Sequence, residues 1–297
     1  MVSQLSTDTA EQAILVRAAA SAVGLGEGPF RFLRFGINNV YINDDDLVVA
    51  RVAPPHETFD IASDRLQNIE LLVGAGAPLL RPLTSVLELA DGSFVTYWPL
   101  ADADRTISVS DMAALIAQWH CVSPPLSLEM WTPGYDDARR ERMIAAGLEV
   151  NVPASALDFL LTELEDARAL LFEYWDELPH THPVVPVHGD LYPGNVVFHD
   201  GRYLLIDCDF LCSGPPEADL TQIVSHYERE VGDLSGRILA EYGLPVDEEF
   251  LRCATRVREL THGLWLVSMW DMRPESREEL RIRVENWDDR SVRWTFL

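Results

Sequence analysis

Between two long helical stretches lies one short β segment, residues 184–207, and it leaves the chain few ways to fold. It reads Val187-His188-Gly189-Asp190-Leu191-Tyr192-Pro193-Gly194-Asn195-Val196-Val197-Phe198, then His199-Asp200-Gly201-Arg202, then Tyr203-Leu204-Leu205-Ile206-Asp207. Val196–Phe198 and Tyr203–Ile206 have strand composition, and Asp200-Gly201 is a two-residue turn that closes a hairpin. Asp190 and Asn195 sit on the Gly- and Pro-rich loop before it. A hairpin brings its two ends together, so the spacing predicts Asn195 and Asp207 as neighbours. That gathers two carboxylates and an amide oxygen at one end of a hairpin. Oxygen-only ligation of this kind suits Mg²⁺, which keeps waters and shares its sphere with substrate phosphates. A lone His-Gly-Asp, or an Asp that ends a strand, is ordinary; the whole constellation points to chemistry.

The rest of the chain divides by pattern. Residues 9–23 carry apolar residues at helical spacing and end near Gly24 and Gly26. Strands are expected at Phe30–Phe35, Val40–Ile42 and Leu47–Val52, with turns at Gly36-Ile37-Asn38-Asn39 and Asp44-Asp45-Asp46. A helix follows over 60–73, then strands near Leu83–Leu89 and Ser93–Trp98 joined at Asp91-Gly92. From Ala101 the chain reads as helical: 110–121, 155–178 with Ser155 as its candidate cap, 217–231, 234–242, 248–271 and 275–286. A sheet-rich part, residues 1–100, and a helical part, residues 101–297, make an α+β protein of two lobes.

Composition removes several functions. Hydrophobic residues make up 47% of the 297 positions, enough for a sizeable core. All 23 basic residues are Arg, so mechanisms that need a Schiff-base Lys or a phosphate-loop Lys are closed to this chain. The net charge of −25 argues against nucleic acid and anionic membranes as partners. No apolar run reaches the roughly 18 residues of a membrane span. The N-terminus is polar and acidic, unlike a signal peptide, so a soluble, cytoplasmic protein is expected. Cys121, Cys208, Cys212 and Cys253 are scattered; Cys208 and Cys212 form C-x3-C without the further ligands of a zinc site.

The run His188-Gly-Asp-Leu-Tyr-Pro-Gly-Asn195 with Ile206-Asp207-Cys-Asp209 resembles the signature of aminoglycoside phosphotransferases and the related choline-kinase-like small-molecule kinases, and the order of elements matches over nearly the whole chain. The resemblance implies a two-lobed protein-kinase-like fold, with nucleotide between an antiparallel-sheet N-lobe and a helical C-lobe that binds the acceptor. It makes Asp190 the catalytic aspartate that orients or deprotonates the acceptor hydroxyl, and Asn195 and Asp207 the holders of Mg²⁺ on the nucleotide phosphates. His188 braces the catalytic loop, and Asp219 in Gly214-Pro-Pro-Glu-Ala-Asp219-Leu220 ties it down. In the N-lobe it implies that Gly36, Asn38 and Asn39 belong to a phosphate-covering turn. Arg51 on the third strand would reach the α- and β-phosphates, with Asp64 or Glu70 as its acidic partner. Trp98 and Leu100, in the stretch joining the lobes, would border adenine or guanine. Tyr192 stands where many members have a second His.

The implied activity is transfer of a phosphate from ATP or GTP to a hydroxyl of a small molecule. Residues 101–297 hold 36 acidic and 17 basic residues, a net of −19 against −6 for residues 1–100. A negative helical lobe attracts a polycation, so a cationic acceptor is expected, an aminoglycoside or similar antibiotic first. Asp136 and Asp137, Glu228 and Glu230, and Asp271 beside Trp270 are the candidate acceptor-side carboxylates. Choline, amino sugars and other antibiotics remain alternatives. A nucleotide-binding pseudokinase is the reading from another class, and a metal-dependent hydrolase built on His180, His182, His188 and Asp190 is a distant third.

Overall fold

The computed structural model describes residues 2–35, 38–54, 57–135, 137–150, 152–178, 182–232, 234–271 and 273–295, with backbone only for 2–8 and 35. Gly36, Asp136 and His180 lie outside these residues. The chain forms two compact units. The first runs to Thr106 and takes in Val196–Asp209; the second comprises Ile107–Asn195 and Phe210–Leu297. A single cut near residue 100 leaves out the return of Val196–Asp209 to the sheet unit.

In the first unit, α1 (Val2–Ala22) precedes the strands β1 (Arg31–Phe35), β2 (Asn39–Asn43) and β3 (Val48–Val52). Then come α2 (Phe59–Gly74), β4 (Leu87–Glu88) and β5 (Phe94–Pro99). The strands form one antiparallel sheet in the order β1-β2-β3-β5-β4. Alternation puts Val48, Ala50 and Val52 of β3 in the core with Tyr41 and Tyr97, against Val16 and Ala20 of α1. The Tyr97 hydroxyl donates to Val16 O at 2.6 Å, which seats the helix on the sheet. Thr58 caps α2, its Oγ1 accepting from Ile61 N. The hairpin β7 (Val196–His199) and β8 (Arg202–Leu205) joins this unit through Leu205, which donates to Pro78 O and accepts from Leu80 N, and through paired bonds between Phe198 and Asp102. Asp200 and Gly201 have φ of 48° and 80°, the left-handed pair that a two-residue hairpin turn of this hand requires.

The second unit contains α3 (Val109–His120), α4 (Asp137–Glu149), α5 (Ala154–Glu177) and β6 (Val185–Val187), followed by a single 3-10 turn at Pro193–Asn195. Beyond the hairpin come β9 (Cys212–Gly214), which pairs with β6, then α6 (Glu217–Ser225), α7 (Ser235–Tyr242), α8 (Glu248–Ser268) and α9 (Glu275–Glu285). Its core lies between α5 and α8, from Leu157, Leu160, Leu164 and Leu171 to Phe250, Leu260, Leu264 and Val267. Two elements had no sequence expectation, and one expected cap is corrected. Helix α4 has no strong apolar stripe, because its buried face is Arg140, Met143 and Gly147, and Gly147 lies under Val267. Strand β9 is three small residues, too short to carry a period. The cap position of α5 is Pro153, without a side-chain bond, rather than Ser155.

Candidate active site

Asp190 follows β6 on a loop whose backbone is tied to one carboxylate. Asp219 in α6 is 1% exposed. It accepts from His188 N at 2.8 Å, Gly189 N at 2.9 Å, Trp119 Nε1 at 2.9 Å and His120 Nε2 at 3.2 Å. Burial opposes its charge, but the bond and charge of His120, with His188, hold its pKa below the ordinary carboxylate value. Gly189 has φ 77°, and a Cβ there would lie 2.6 Å from Phe210 O, so the position accepts only glycine. His188 is fully buried, and its Nδ1 faces Asp190 N at 3.3 Å.

The loop then curls into the 3-10 turn and presents Asn195 to Asp190. Asn195 Nδ2 donates to the Asp190 carbonyl at 2.8 Å and to its Oδ2 at 3.0 Å. The other carboxylate oxygen, Oδ1, accepts from Arg258 Nη2 at 2.7 Å, and the same nitrogen bonds Gln222 Oε1. Arg258 sits on α8, nearly seventy residues on in the chain, and nothing in the local sequence marks it.

In the sheet unit the chemistry gathers at Arg51. Its Nη2 lies 2.7 Å from Asp207 Oδ1 and 3.0 Å from Asp209 Oδ2. Burial opposes the charged guanidinium, but Asp209 and Asp207 outweigh it and raise its pKa. Burial likewise opposes the charge of Asp209, but Arg51, Arg65 and the Asn38 amide outweigh it and lower its pKa. Neither Asp64 nor Glu70 is the partner of Arg51 among the described residues. Glu70 pairs with Arg81, and α2 instead sends Arg65 to Glu57 and Asp209. Asp207 has φ 67°, an uncommon conformation outside glycine that Asp tolerates better than most.

The remaining sheet-unit residues are also engaged. Asn38 donates to Asp209 Oδ2 at 2.7 Å, and Asn39 to Gln12 Oε1 of α1 at 2.8 Å. Trp98 lines a small cavity with Arg51, Arg65 and Asp209, its Nε1 bonded to Thr96 Oγ1 at 2.9 Å. The Leu100 N–H is taken by Leu47 O at 2.8 Å, so a purine base would have to meet other backbone groups.

The donor chemistry fits a hard divalent cation. In the helical unit Nδ2 of Asn195 is committed to Asp190, so its amide presents Oδ1 as the remaining acceptor; in the sheet unit Asp207 carries carboxylate oxygens, donors of the same hard kind. Among the described residues there is no cluster of three or more His, Cys, Asp or Glu able to hold a metal unaided.

The carboxylates expected to meet the acceptor have partners inside the helical unit. Asp137 bonds Arg140 and Arg168, and Glu230 pairs with His226. Glu228 lies 3.6 Å from Arg290, and Asp271 3.3 Å from Arg277. His182 pairs with Glu217, away from the hydrolase role weighed for it.

A five-stranded antiparallel sheet with a half-buried Arg–Asp pair in its unit, followed by helices that hold an Asp–Asn loop, is the α+β architecture of protein-kinase-like phosphotransferases. The chain belongs to the phosphotransferase enzyme family, whose model matches residues 30–254. No curated protein matches it. Solved structures similar to it include choline kinase from Streptococcus pneumoniae, with TM-score 0.66 and 14% identity, covering 93% of this chain and 98% of that one. Amicoumacin kinase, solved with AMP-PNP, Ca²⁺ and Ami, is similar at TM-score 0.65 and 15% identity, over 97% and 96%. An aminoglycoside phosphotransferase from Streptomyces rimosus gives TM-score 0.61 and 18% identity, over 83% and 96%. At these identities the likeness is one of fold. Among the described residues no helix is long and apolar enough to cross a membrane.

Proposed function

We propose that this phosphotransferase moves the γ-phosphoryl group of ATP or GTP to a hydroxyl of a small molecule, with Asp190 as the group that receives or orients the hydroxyl proton. The observation that carries this reading is the fixing of the Asp190 carboxylate from two sides, by Asn195 at Oδ2 and by Arg258 at Oδ1. A carboxylate locked in one orientation serves as a positioned base without reorganising during the reaction. Asn195 and Asp207 would hold Mg²⁺, which when bound offsets the negative charge of the phosphates. Arg51 would meet the α- and β-phosphates from the sheet unit, the charge of Asp207 and Asp209 keeping it protonated. Asn38 and Asn39, ahead of and at the start of β2, would contribute backbone amides; Gly36, expected to join them, lies outside the described residues.

The similar structures bear the names of antibiotic kinases and of choline kinase, so antibiotics and choline-like amines head the acceptors to be tried. The case for a cationic acceptor rests on the net charge of residues 101–297; the pairing of Asp137, Glu228, Glu230 and Asp271 weakens it. The test is transfer of label from γ-labelled ATP and GTP, with and without Mg²⁺, across aminoglycosides, other antibiotics, choline and sugars. Mg²⁺-dependent transfer that falls at least about a hundredfold in Asp190→Asn, with nucleotide affinity little changed, is the expected result. Absence of both transfer and acceptor-stimulated hydrolysis would leave a nucleotide-binding pseudokinase.

A further inference from the structure

Resting on the kinase reading above, we propose that the cleft beside Asp190 takes a hydroxyl-bearing small molecule with a flat apolar body and a carboxylate or phosphate group, not a polycation. The cleft opens to solvent and lies wholly within the helical unit. Trp131, Tyr135 and Phe210 form its apolar walls, with Arg140 and Arg258 among its polar residues. Among the described residues Asp219 is its one acidic lining residue, and all four donors described above already converge on that carboxylate.

Arg140 supplies the most specific indication. It is 5% exposed and lines the cleft. One of its terminal nitrogens donates to Pro133 O and to Asp137. Its Nε has no hydrogen-bond partner among the described residues. A buried N–H left unpaired is costly, so an acceptor oxygen from a ligand would relieve a deficit the fold itself leaves. Asp137 does not balance the charge here, because it is shared between Arg140 and Arg168. Arg139 adds a further cation, its guanidinium 4.3 Å from the centre of the Phe210 ring.

Burial and the nearby Arg283, Arg258 and Arg139 hold the pKa of His262 well below the ordinary imidazole value. Arg258 is paired with Asp190, so Arg140, whose Asp137 is shared with Arg168, is the guanidinium left to meet a ligand, and a cationic group there would meet like charge. An anion on a planar frame would meet Arg140 at one end and stack between aromatic walls along its length.

Three probes of one shape separate the alternatives: 4-(hydroxymethyl)benzoate, 4-(hydroxymethyl)benzylamine and benzyl alcohol. Their binding to the full chain is measured by ligand-observed NMR titration with Mg²⁺ and a non-hydrolysable nucleotide present. The benzoate is expected to bind about tenfold tighter than the amine, with the neutral alcohol between them. Arg140→Ala, checked for native circular dichroism, is expected to erase that preference, and Arg140→Lys to keep part of it. Equal binding of benzoate and amine, tighter binding of the amine, or binding of none of the three overturns the proposal, as does a full preference in folded Arg140→Ala. If Arg140→Ala does not fold, the wild-type comparison decides alone. Failure of the kinase reading would show separately, as absence of Mg²⁺-dependent nucleotide turnover with every acceptor tried.

Discussion

Replacing Asp219 with Ala removes the acceptor of four donors at once, two of them backbone N–H groups of the catalytic loop. A hydrogen bond to a charged group contributes about 1.5–3 kcal/mol, and a buried donor left unpaired loses a similar amount. The four share one carboxylate, and water can enter the space that Ala vacates, so the losses do not add. A net loss of about 3–5 kcal/mol is expected, the range seen when one partner of a buried polar network is removed. For a unit of this size that corresponds to a fall of roughly 10 °C in Tm. The Asp219 pKa is depressed by folding, so its contribution is full above the ordinary carboxylate value of 3.8 and fades as pH falls through it towards the folded value. The difference between Asp219→Ala and wild type should therefore shrink on acidification below about pH 4. Urea unfolding followed by tryptophan fluorescence at pH 7 and at acid pH measures both effects, and amide exchange at His188 and Gly189 locates them. A loss below about 1 kcal/mol at neutral pH, or one that grows on acidification, would refute the reasoning.

Arg51→Ala should raise the nucleotide KM and lower kcat, while Arg51→Lys should keep part of the activity through its charge; steady-state kinetics decide. Asp207→Ala should abolish Mg²⁺-dependent turnover in a folded protein, so a folded variant with wild-type rates would remove Asp207 from the metal site. Gly189→Ala should destabilise the helical unit by about 2 kcal/mol or more and reduce kcat, since both its positive φ and the Phe210 carbonyl exclude a Cβ. Wild-type melting of that variant would show that the loop can relax.

What could be read from the sequence was whatever rests on local pattern. The β7–β8 hairpin follows from Asp200-Gly201 between two β-branched or aromatic runs, and α2, α3, α5 and α8 follow from apolar spacing. The role of Asp219 came through the family resemblance, and four hydrogen bonds now give it a physical basis. What escaped depends on contacts made far along the chain. Arg258 reaches Asp190 from α8, and no local signal distinguishes it from any other arginine on a helix. The partner of Arg51 was sought on α2, yet the structure uses the two aspartates that follow β8. Helix α4 escaped because an arginine and a glycine stand where a periodic pattern needs apolar residues.

The charge of −25 shows how far a sum over residues can stand from the chemistry of a site. Exposed charges are screened over about 8 Å at physiological ionic strength, so the total governs solubility and the speed of encounter. What a bound molecule meets is decided within a few ångströms, where pairing matters more than number. Asp137, Glu230 and Asp219 all count towards the total, yet each faces donors that the fold has already placed against it. Arg140, Arg258 and Arg139 are outnumbered across the chain and concentrated around one cleft. With no lysine available, every one of these cations is a guanidinium, whose fork can hold a protein carboxylate and still offer another N–H to a ligand. Arg140 is placed to do so: its terminal nitrogen serves Asp137 and Pro133, while Nε is left for the molecule that enters.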